Sequence, residues 1–192
     1  MRIVVGLGNP GLLYRNSRHN AGYQALDMLA KTLGVPVVRR GFEGVYGEKT
    51  VNGEKVILVK PRTYMNRSGD CVQKVMHFYK AAPSDLIVLY DDIDLPTGSL
   101  RIRTSGSPGT HNGMRSVLAC VNSTDVPRVR IGVGRADGVD LKDYVLERPS
   151  PEERKAIAAA CDDAADAAYL MLTGRTQEAQ ARYNKKHEGA NA

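Results

Sequence analysis

The feature that most limits the possible folds of this 192-residue chain is the continuous apolar run Leu86–Tyr90. A strand without a polar face must be covered on both sides, as in the parallel centre of an α/β sheet. The remaining sequence alternates between strand patterns at 2–5, 45–51, 55–59, 100–103 and 129–133 and helical patterns at 21–33, 72–79 and 113–121. This alternation predicts an α/β fold: a single domain with a mixed, mostly parallel twisted sheet and helices on both faces.

Local signals predict where several elements begin and end. Asn52-Gly53 separates two strand patterns and predicts a hairpin. Ser150-Pro151-Glu152-Glu153 has the pattern of a capping box and predicts a long helix that ends at Gly174. No repeat, low-complexity stretch or linker divides the chain. We therefore expect one domain over residues 1–185, fraying of the polar residues after Ala181, and a polar tail over 186–192.

Composition excludes several classes of protein. Hydrophobic residues form 42% of the chain, which argues against disorder, and neither a run of about 18 apolar residues nor an N-terminal signal pattern occurs. We therefore predict a soluble cytoplasmic protein that makes no membrane contact. Cys71, Cys120 and Cys161 are odd in number and far apart, so we expect reduced thiols. The four histidines lack metal-ligand spacing, and the net charge of +6 is compatible with a polyanionic partner.

Two motifs resemble known sites but lack the expected context. Gly6-x-Gly8-x-x-Gly11 follows a strand, as in dinucleotide-binding folds, but Pro10 removes an N–H group and no helix begins at Gly11. Asp92-x-Asp94 resembles the nucleophile strand of haloacid-dehalogenase-like phosphohydrolases, but the later motifs of that class do not follow in order. A magnesium-dependent phosphohydrolase is a minor alternative, and a surface turn also explains the two acids.

His19 is the strongest candidate for a catalytic residue. It lies between a Gly-rich turn and a predicted helix, whose partial positive charge would keep the imidazole neutral. Asp91 ends the buried strand, and working groups of open α/β sheets collect at the carboxyl ends of the strands. A hydrogen bond to Asp91 would fix the tautomer of His19 and raise the basicity of its other nitrogen. Because no Ser or Cys nucleophile motif accompanies the pair, direct attack by water is indicated. Taken alone, a histidine in this position is more often a helix cap or a loop hydrogen-bonding residue than a catalytic base.

Three asparagines stand near the ends of predicted elements, and they are Asn9, Asn66 and Asn112. An asparagine side chain offers both a donor and an acceptor, which suits binding of a peptide main chain. Asparagine also favours turns and helix caps, and each of the three, considered alone, is interpreted as a cap.

Five ordered motifs resemble those of bacterial-type peptidyl-tRNA hydrolases. They are GLGNPG at 6–11 with Tyr14 and Arg18-His19-Asn20, KPRTYMNRSG at 60–69, YDDIDLP at 90–96, HNG at 111–113 and RVRIGVGR at 128–135. The resemblance extends from residue 1 to about residue 185. Members of this family hydrolyse the ester that joins a peptide to tRNA, and so recycle tRNA from prematurely released peptidyl-tRNA.

The resemblance implies a role for each matching residue. His19 would be the general base that activates water, Asp91 would support it, and Asn9 would contact the substrate near the ester and help to separate peptidyl from aminoacyl substrates. The residues implied to line the substrate and tRNA site are Tyr14, Tyr64, Asn66, Asn112 and, as a clamp for the tRNA 5′-phosphate, Arg101 and Arg130. For these two arginines, a solvated strand face is an equally good interpretation of the residues alone.

The resemblance also implies a monomer without metal or cofactor that binds the acceptor stem and 3′ end of peptidyl-tRNA. In the family, the segment before the His-Asn-Gly motif is commonly richer in glycine. Here Pro108 and Thr110 interrupt it, which predicts a stiffer gating loop. A non-catalytic RNA-binding homologue of the same fold is the alternative function, and the presence of His19, Asp91 and the three asparagines favours the enzyme.

Overall fold

The computed structural model describes residues 1–184 and contains a seven-stranded mixed sheet. Its strands are β1 (Arg2–Gly6), β2 (Arg39–Gly41), β3 (Gly44–Val51), β4 (Glu54–Pro61), β5 (Leu86–Asp92), β6 (Leu100–Arg103) and β7 (Arg128–Gly132). The α-helices are α1 (Ala21–Leu33), α2 (Ser68–Tyr79), α3 (Asn112–Val121), α4 (Leu141–Leu146), α5 (Pro151–Leu172) and α6 (Thr176–Tyr183). The domain boundary predicted at residue 185 and the tail predicted over 186–192 lie outside the described residues.

The sheet is parallel in its centre and antiparallel at both edges. Its strand order is β2-β3-β4-β1-β5-β7-β6, and β4, β1, β5 and β7 run parallel to one another. The antiparallel strands β3 and β2 extend one side, and β6 pairs antiparallel with β7 on the other side. The apolar run Leu86–Tyr90 lies in β5, between β1 and β7. The predicted α/β class and central strand are therefore confirmed.

Helices cover both faces of the sheet, and each face has its own apolar core. Helices α1 and α5 cover one face, to which Val4 and Leu89 contribute, and α2 and α3 cover the other, to which Val5 and Val88 contribute. Because successive strand side chains point to opposite faces, β5 supplies residues to both cores. This double burial explains why β5 has no charged position before Asp91. Within the described residues, no helix has the length and apolar character needed to cross a membrane.

Local sequence signals mark several boundaries correctly. Helix α1 ends before Gly34, which has a left-handed φ of 65°. Asn52 and Gly53 also have positive φ, 49° and 80°, and form the turn between β3 and β4. The Ser150 side chain accepts the N–H of Glu153, and the Glu153 carboxylate accepts the N–H of Ser150. The predicted hairpin and capping box are thus present.

Three elements were not predicted from the sequence: β2, α4 and α6. Strand β2 has three residues and α4 has six, so neither is long enough to show a hydrophobic period. Helix α6 continues to Tyr183, and the Asn184 side chain then makes two hydrogen bonds with the main chain of Ile102. The prediction that the chain frays directly after Ala181 is therefore wrong, because tertiary contacts hold this end.

A close approach between α1 and the sheet positions the loop after β1. Gly22 lies against the carbonyl oxygens of Leu7 and Leu89, and a Cβ at this position would overlap both. The N–H of Tyr23 donates to the Leu7 carbonyl at 3.2 Å. Because glycine permits this approach, the short 3₁₀ turn Arg18–Asn20, which precedes α1, is held beside the carboxyl end of β5.

Candidate active site

A cavity of about 870 Å³ opens at the carboxyl edge of the parallel strands. Its lining comes from the loops after β1, β4 and β5, from the segment before α3, from β7 and from α4. This is the edge at which ligands bind in open α/β sheets. The predicted catalytic residues are therefore expected to lie in this cavity.

The predicted pair of His19 and Asp91 meets in this cavity. Nδ1 of His19 lies 2.9 Å from both carboxylate oxygens of Asp91. Asp91 is 1% exposed, whereas His19 is 12% exposed and lines the cavity. Nε2 of His111 lies 2.8 Å from Oδ1 of Asp91, so the buried carboxylate joins two imidazoles. The second imidazole was not among the predicted site residues, although it stands beside Asn112 in the His-Asn-Gly motif.

The hydrogen bonds of His111 define its tautomer. Its Nδ1 accepts the main-chain N–H of Met114 at 3.1 Å. An imidazole nitrogen that accepts a hydrogen bond carries no proton, so Nε2 of His111 bears the proton and donates it to Asp91. Nδ1 of His19 likewise donates to Asp91, which accepts from both rings. Nε2 of His19 is then left without a protein partner within residues 1–184 and is available to water in the cavity.

The ionisation of this group differs from the sequence-based expectation. Burial lowers the pKa of His19, but the negative charge of Asp91 and its hydrogen bond raise that pKa more, so it lies above the ordinary 6.5. Burial raises the pKa of Asp91, but the two imidazoles outweigh burial and hold it well below its usual range. The start of α1 was expected to disfavour the imidazolium form, but the carboxylate in direct contact sets the direction of the pKa shift, and His19 is a base above that raised pKa.

The three side chains also form a possible metal-binding set. Ligand atoms of His19, Asp91 and His111 all lie within 4.8 Å of one another. A metal at Nε2 of His111 would move the proton of that ring to Nδ1, where it would oppose the N–H of Met114. The observed hydrogen bonds therefore fit a protonated network better than a metal site.

Asn9 is buried beside this network and has a defined orientation. Its Oδ1 accepts the N–H of Met65 at 2.8 Å, and its Nδ2, which has no partner in the described part of the chain, is available to donate into the cavity. Its main chain is bound on both sides by Asn20, which accepts the Asn9 N–H at 2.8 Å and donates to the Asn9 carbonyl at 3.0 Å. Asn20 thus positions Asn9, a role that was not predicted from the sequence.

The other predicted substrate residues surround the cavity at different depths. Asn66 and Asn112 line it, and Oδ1 of Asn112 accepts from Arg115 at 3.0 Å. Tyr64 also lines the cavity, is 58% exposed and has a positive φ of 61°. Tyr14 is outside the lining and packs edge-to-face on Tyr64, with 6.5 Å between ring centroids.

The arginines of β6 and β7 form a paired array on one face of the sheet. Arg101 is opposite Arg130 and Arg103 is opposite Arg128 in the antiparallel ladder. Arg103, Arg128 and Arg130 line the cavity, whereas Arg101 does not. Arg101, predicted with Arg130 as the phosphate clamp, thus lies opposite Arg130 but outside the cavity lining, and its role stays a prediction; Arg103 is a further cation in the lining that was not predicted. Partial burial and the charges of Arg101 and Arg130 lower the pKa of Arg103, as expected for crowded cations.

The acids of the alternative phosphohydrolase motif are already engaged. Nε of Arg130 lies 2.5 Å from Oδ2 of Asp92, and Oδ1 of Asp92 accepts the N–H of Asp94. Asp94 pairs with Arg135. The two carboxylates thus neutralise neighbouring arginines rather than converging on a cation, which weighs against the magnesium-dependent alternative.

The three cysteines are free thiols in α2, α3 and α5, as predicted.

The fold and the site together define a class of protein. The open α/β sheet holds an accessible imidazole on a buried carboxylate, and among the described residues no Ser or Cys is bonded to that imidazole. This arrangement fits a hydrolase that activates water directly. The family model described as peptidyl-tRNA hydrolase matches residues 3–191. The chain belongs to the peptidyl-tRNA hydrolase family.

Individual relatives agree with this assignment. The chain is 45% identical to the peptidyl-tRNA hydrolase of Carboxydothermus hydrogenoformans, covering 96% of this chain and 99% of the relative. It is 43% identical to that of Bacillus subtilis, covering 97% and 100%. The crystal structure of peptidyl-tRNA hydrolase from Acinetobacter baumannii superposes with a TM-score of 0.89 at 33% identity, covering 95% of this chain and 93% of that one.

Proposed function

We propose that this protein hydrolyses the ester between a peptide, or an N-blocked aminoacyl group, and the terminal ribose of tRNA, with His19 as the general base. One observation carries the proposal: Nδ1 of His19 is held 2.9 Å from buried Asp91 while Nε2 faces the cavity. An ester of a ribose hydroxyl is already activated, so a positioned water and a single base are sufficient.

The chemistry then has two steps. Nε2 of His19 takes a proton from water as the water oxygen attacks the ester carbonyl, and the imidazolium that forms is stabilised by Asp91. The tetrahedral intermediate collapses, the bond to the ribose oxygen breaks, and His19 returns its proton to that oxygen. The products are tRNA with its terminal hydroxyl restored and the peptide carboxylic acid, which releases its remaining proton to solvent and becomes a carboxylate.

Asn9 is placed to stabilise the charge that develops on the carbonyl oxygen. Its Oδ1 is occupied by the N–H of Met65, so the group presented to the cavity is the Nδ2 donor. A prepositioned donor of this kind contributes roughly 10²–10³-fold in kcat. We assign Asn9 to this role and to the distinction between peptidyl and aminoacyl substrates.

The remaining lining residues are assigned to substrate binding. Asn66 and Asn112 would hydrogen-bond the peptide main chain, and Tyr64, supported by Tyr14, would cover it at the cavity mouth. Arg103 and Arg130 would bind phosphate at the end of the acceptor stem, because a guanidinium fork matches phosphate oxygens. Arg101 would add positive charge beside them.

We also propose that the enzyme works as a cytoplasmic monomer without metal. The His19–Asp91–His111 network and the cavity are complete within one chain, and the hydrogen bonds of His111 favour protons over a cation.

Hydrolysis of N-acetyl-aminoacyl-tRNA, assayed with and without EDTA, tests this proposal. We expect cleavage of the ester that persists in EDTA and little cleavage of unblocked aminoacyl-tRNA. Tight tRNA binding without cleavage would instead support a non-catalytic RNA-binding protein, and loss of cleavage on chelation would support a metal-dependent reaction.

A further inference from the structure

Among residues 1–184, Arg128 has the largest fully buried side chain, and its surroundings are unusual for a cation. It is 1% exposed, yet it lines the cavity. Its Nε donates to the carbonyl of Val126 at 3.0 Å, Nη1 to the carbonyl of Ser107 at 2.8 Å and Nη2 to the carbonyl of Thr124 at 3.2 Å. Thus its hydrogen bonds within residues 1–184 go to main-chain carbonyls and none goes to a carboxylate. Burial of a charge without a counterion is costly, so a specific task is expected for this residue.

The three carbonyls belong to two separate loops. Thr124 and Val126 lie in the loop that leads into β7, whereas Ser107 lies in residues 104–110, which we call the wall segment. The N–H of Gly106 adds a fourth link, because it donates to the same Thr124 carbonyl at 3.1 Å. A planar guanidinium with five N–H donors can reach carbonyls in different directions, which a lysine ammonium in one position cannot.

The wall segment matters because it forms one side of the cavity and ends at the catalytic network. Residues 105–110 all line the cavity. The next residue is His111, which bonds Asp91 and whose N–H donates to the Pro108 carbonyl at 3.3 Å. The segment is thus held at its start by Arg128 and at its end by His111.

We propose that Arg128 is a positioning residue that fixes the wall segment in place, so that the cavity is preformed for the tRNA end of the substrate. The proposal rests on the function proposed above for the substrate, but the placement of the wall segment can be tested without it. Apparent affinity falls in proportion to the fraction of molecules whose binding site is formed. Loss of Arg128 should therefore act on KM rather than on kcat, because bound substrate restores the wall.

The test compares Arg128→Lys, Arg128→Gln and the exposed control Arg154→Gln. Hydrogen–deuterium exchange is followed at Gly106, and KM, kcat and the salt dependence of KM are measured with N-acetyl-aminoacyl-tRNA. We expect both Arg128 variants to raise exchange at Gly106 by about tenfold or more. We also expect them to raise KM by about five- to twentyfold, to keep kcat within about twofold, and to leave the salt slope unchanged. The control should match the wild type.

Other results would overturn the proposal. If only Arg128→Gln raises KM, and it also flattens the salt slope, Arg128 binds phosphate through its charge. Unchanged exchange at Gly106 in a folded Arg128→Lys protein would also overturn the proposal. So would a loss of exchange protection throughout β7 and α3 as large as that at Gly106, if KM did not change. If the wild type does not cleave the ester, the proposed function fails, whereas exchange at Gly106 still decides the role of Arg128.

A second variant keeps the proposal testable if the Arg128 variants do not fold. Pro108→Gly loosens the wall segment without touching the buried cation. We expect it to raise exchange at Gly106 and KM by about two- to fivefold, because glycine gives the open segment more conformational freedom. Unchanged exchange and KM in Pro108→Gly would contradict a fixed wall.

Discussion

Replacement of Asp91 by asparagine tests how the buried carboxylate controls His19. In the wild type, Asp91 accepts from Nδ1 of His19 and from Nε2 of His111, so both of its oxygens act as acceptors. Asparagine has one oxygen and one NH₂ group. Because Nδ1 of His19 lies 2.9 Å from both Asp91 oxygens, it would face the NH₂ group in either orientation of the amide. An NH₂ donor favours the tautomer of His19 whose proton is on Nε2, and that tautomer cannot act as a base.

The expected loss of activity follows from that change of tautomer. We expect kcat/KM of Asp91→Asn to fall by roughly 10²–10⁴-fold, the range typical of a lost or misoriented general base. The acid limb of the pH profile should also move. Asp91 raises the pKa of His19 above 6.5, and a protonated His19 is inactive, so wild-type activity falls as pH drops through that raised pKa. Without the carboxylate the limb should lie at lower pH.

The assay is hydrolysis of N-acetyl-aminoacyl-tRNA between about pH 5 and pH 9, within the range in which histidine titrates. Asp92→Asn is the matched control, because it removes the neighbouring carboxylate, which contacts Arg130 and not His19. We expect its acid limb to stay at the wild-type position. An Asp91→Asn enzyme with near wild-type rate and an unmoved acid limb would refute the assignment of Asp91 as the support of His19.

Two further predictions concern the arginine pair and the packing of α1. Arg103→Ala should raise KM about tenfold and lower the salt slope by about one. Arg101→Ala should have a smaller effect on both measures, since Arg103 lines the cavity and Arg101 does not; a larger effect at Arg101 would instead support Arg101 as the phosphate clamp. Gly22→Ala should lower the free energy of unfolding by about 1–3 kcal/mol, because its Cβ overlaps two carbonyl oxygens. It should also reduce kcat, because the displaced helix carries His19 with it. Thermal unfolding measures the stability and turnover measures kcat, each against the exposed control Lys31→Ala. Wild-type stability and kcat in Gly22→Ala would show that α1 can shift freely.

The sequence predicted those parts of the fold that local pattern determines. β5 was recognisable because burial on both faces leaves no polar position from Leu86 to Tyr90. The start of α5 was recognisable because Ser150 and Glu153 cap each other. Helix α4 was not predicted because six residues are too few to show a helical hydrophobic repeat. Its Tyr144 is held by a hydrogen bond to the Val133 carbonyl, a tertiary contact that the local sequence does not reveal.

The sequence predicted the candidate-site residues that lie at strand ends. It did not predict the roles that depend on how side chains pack and which atoms they contact. His19 lies between β1 and α1 and Asp91 lies at the end of β5, and they meet because the carboxyl ends of these parallel strands lie at the same edge of the sheet. The roles of His111 and Asn20 depend on which atom each of them bonds, which no spacing reveals. Arg101 and Arg103 lie on the same face of β6, so alternation alone could not decide which of them reaches the cavity.

The central claim is that His19 removes the proton from water. Its most direct test is single-turnover hydrolysis of N-acetyl-aminoacyl-tRNA by His19→Ala, with tRNA affinity measured on the same sample. The variant should bind tRNA as the wild type does and cleave the ester roughly 10²–10⁴-fold more slowly. Cleavage at the wild-type rate by a folded His19→Ala protein would contradict the mechanism.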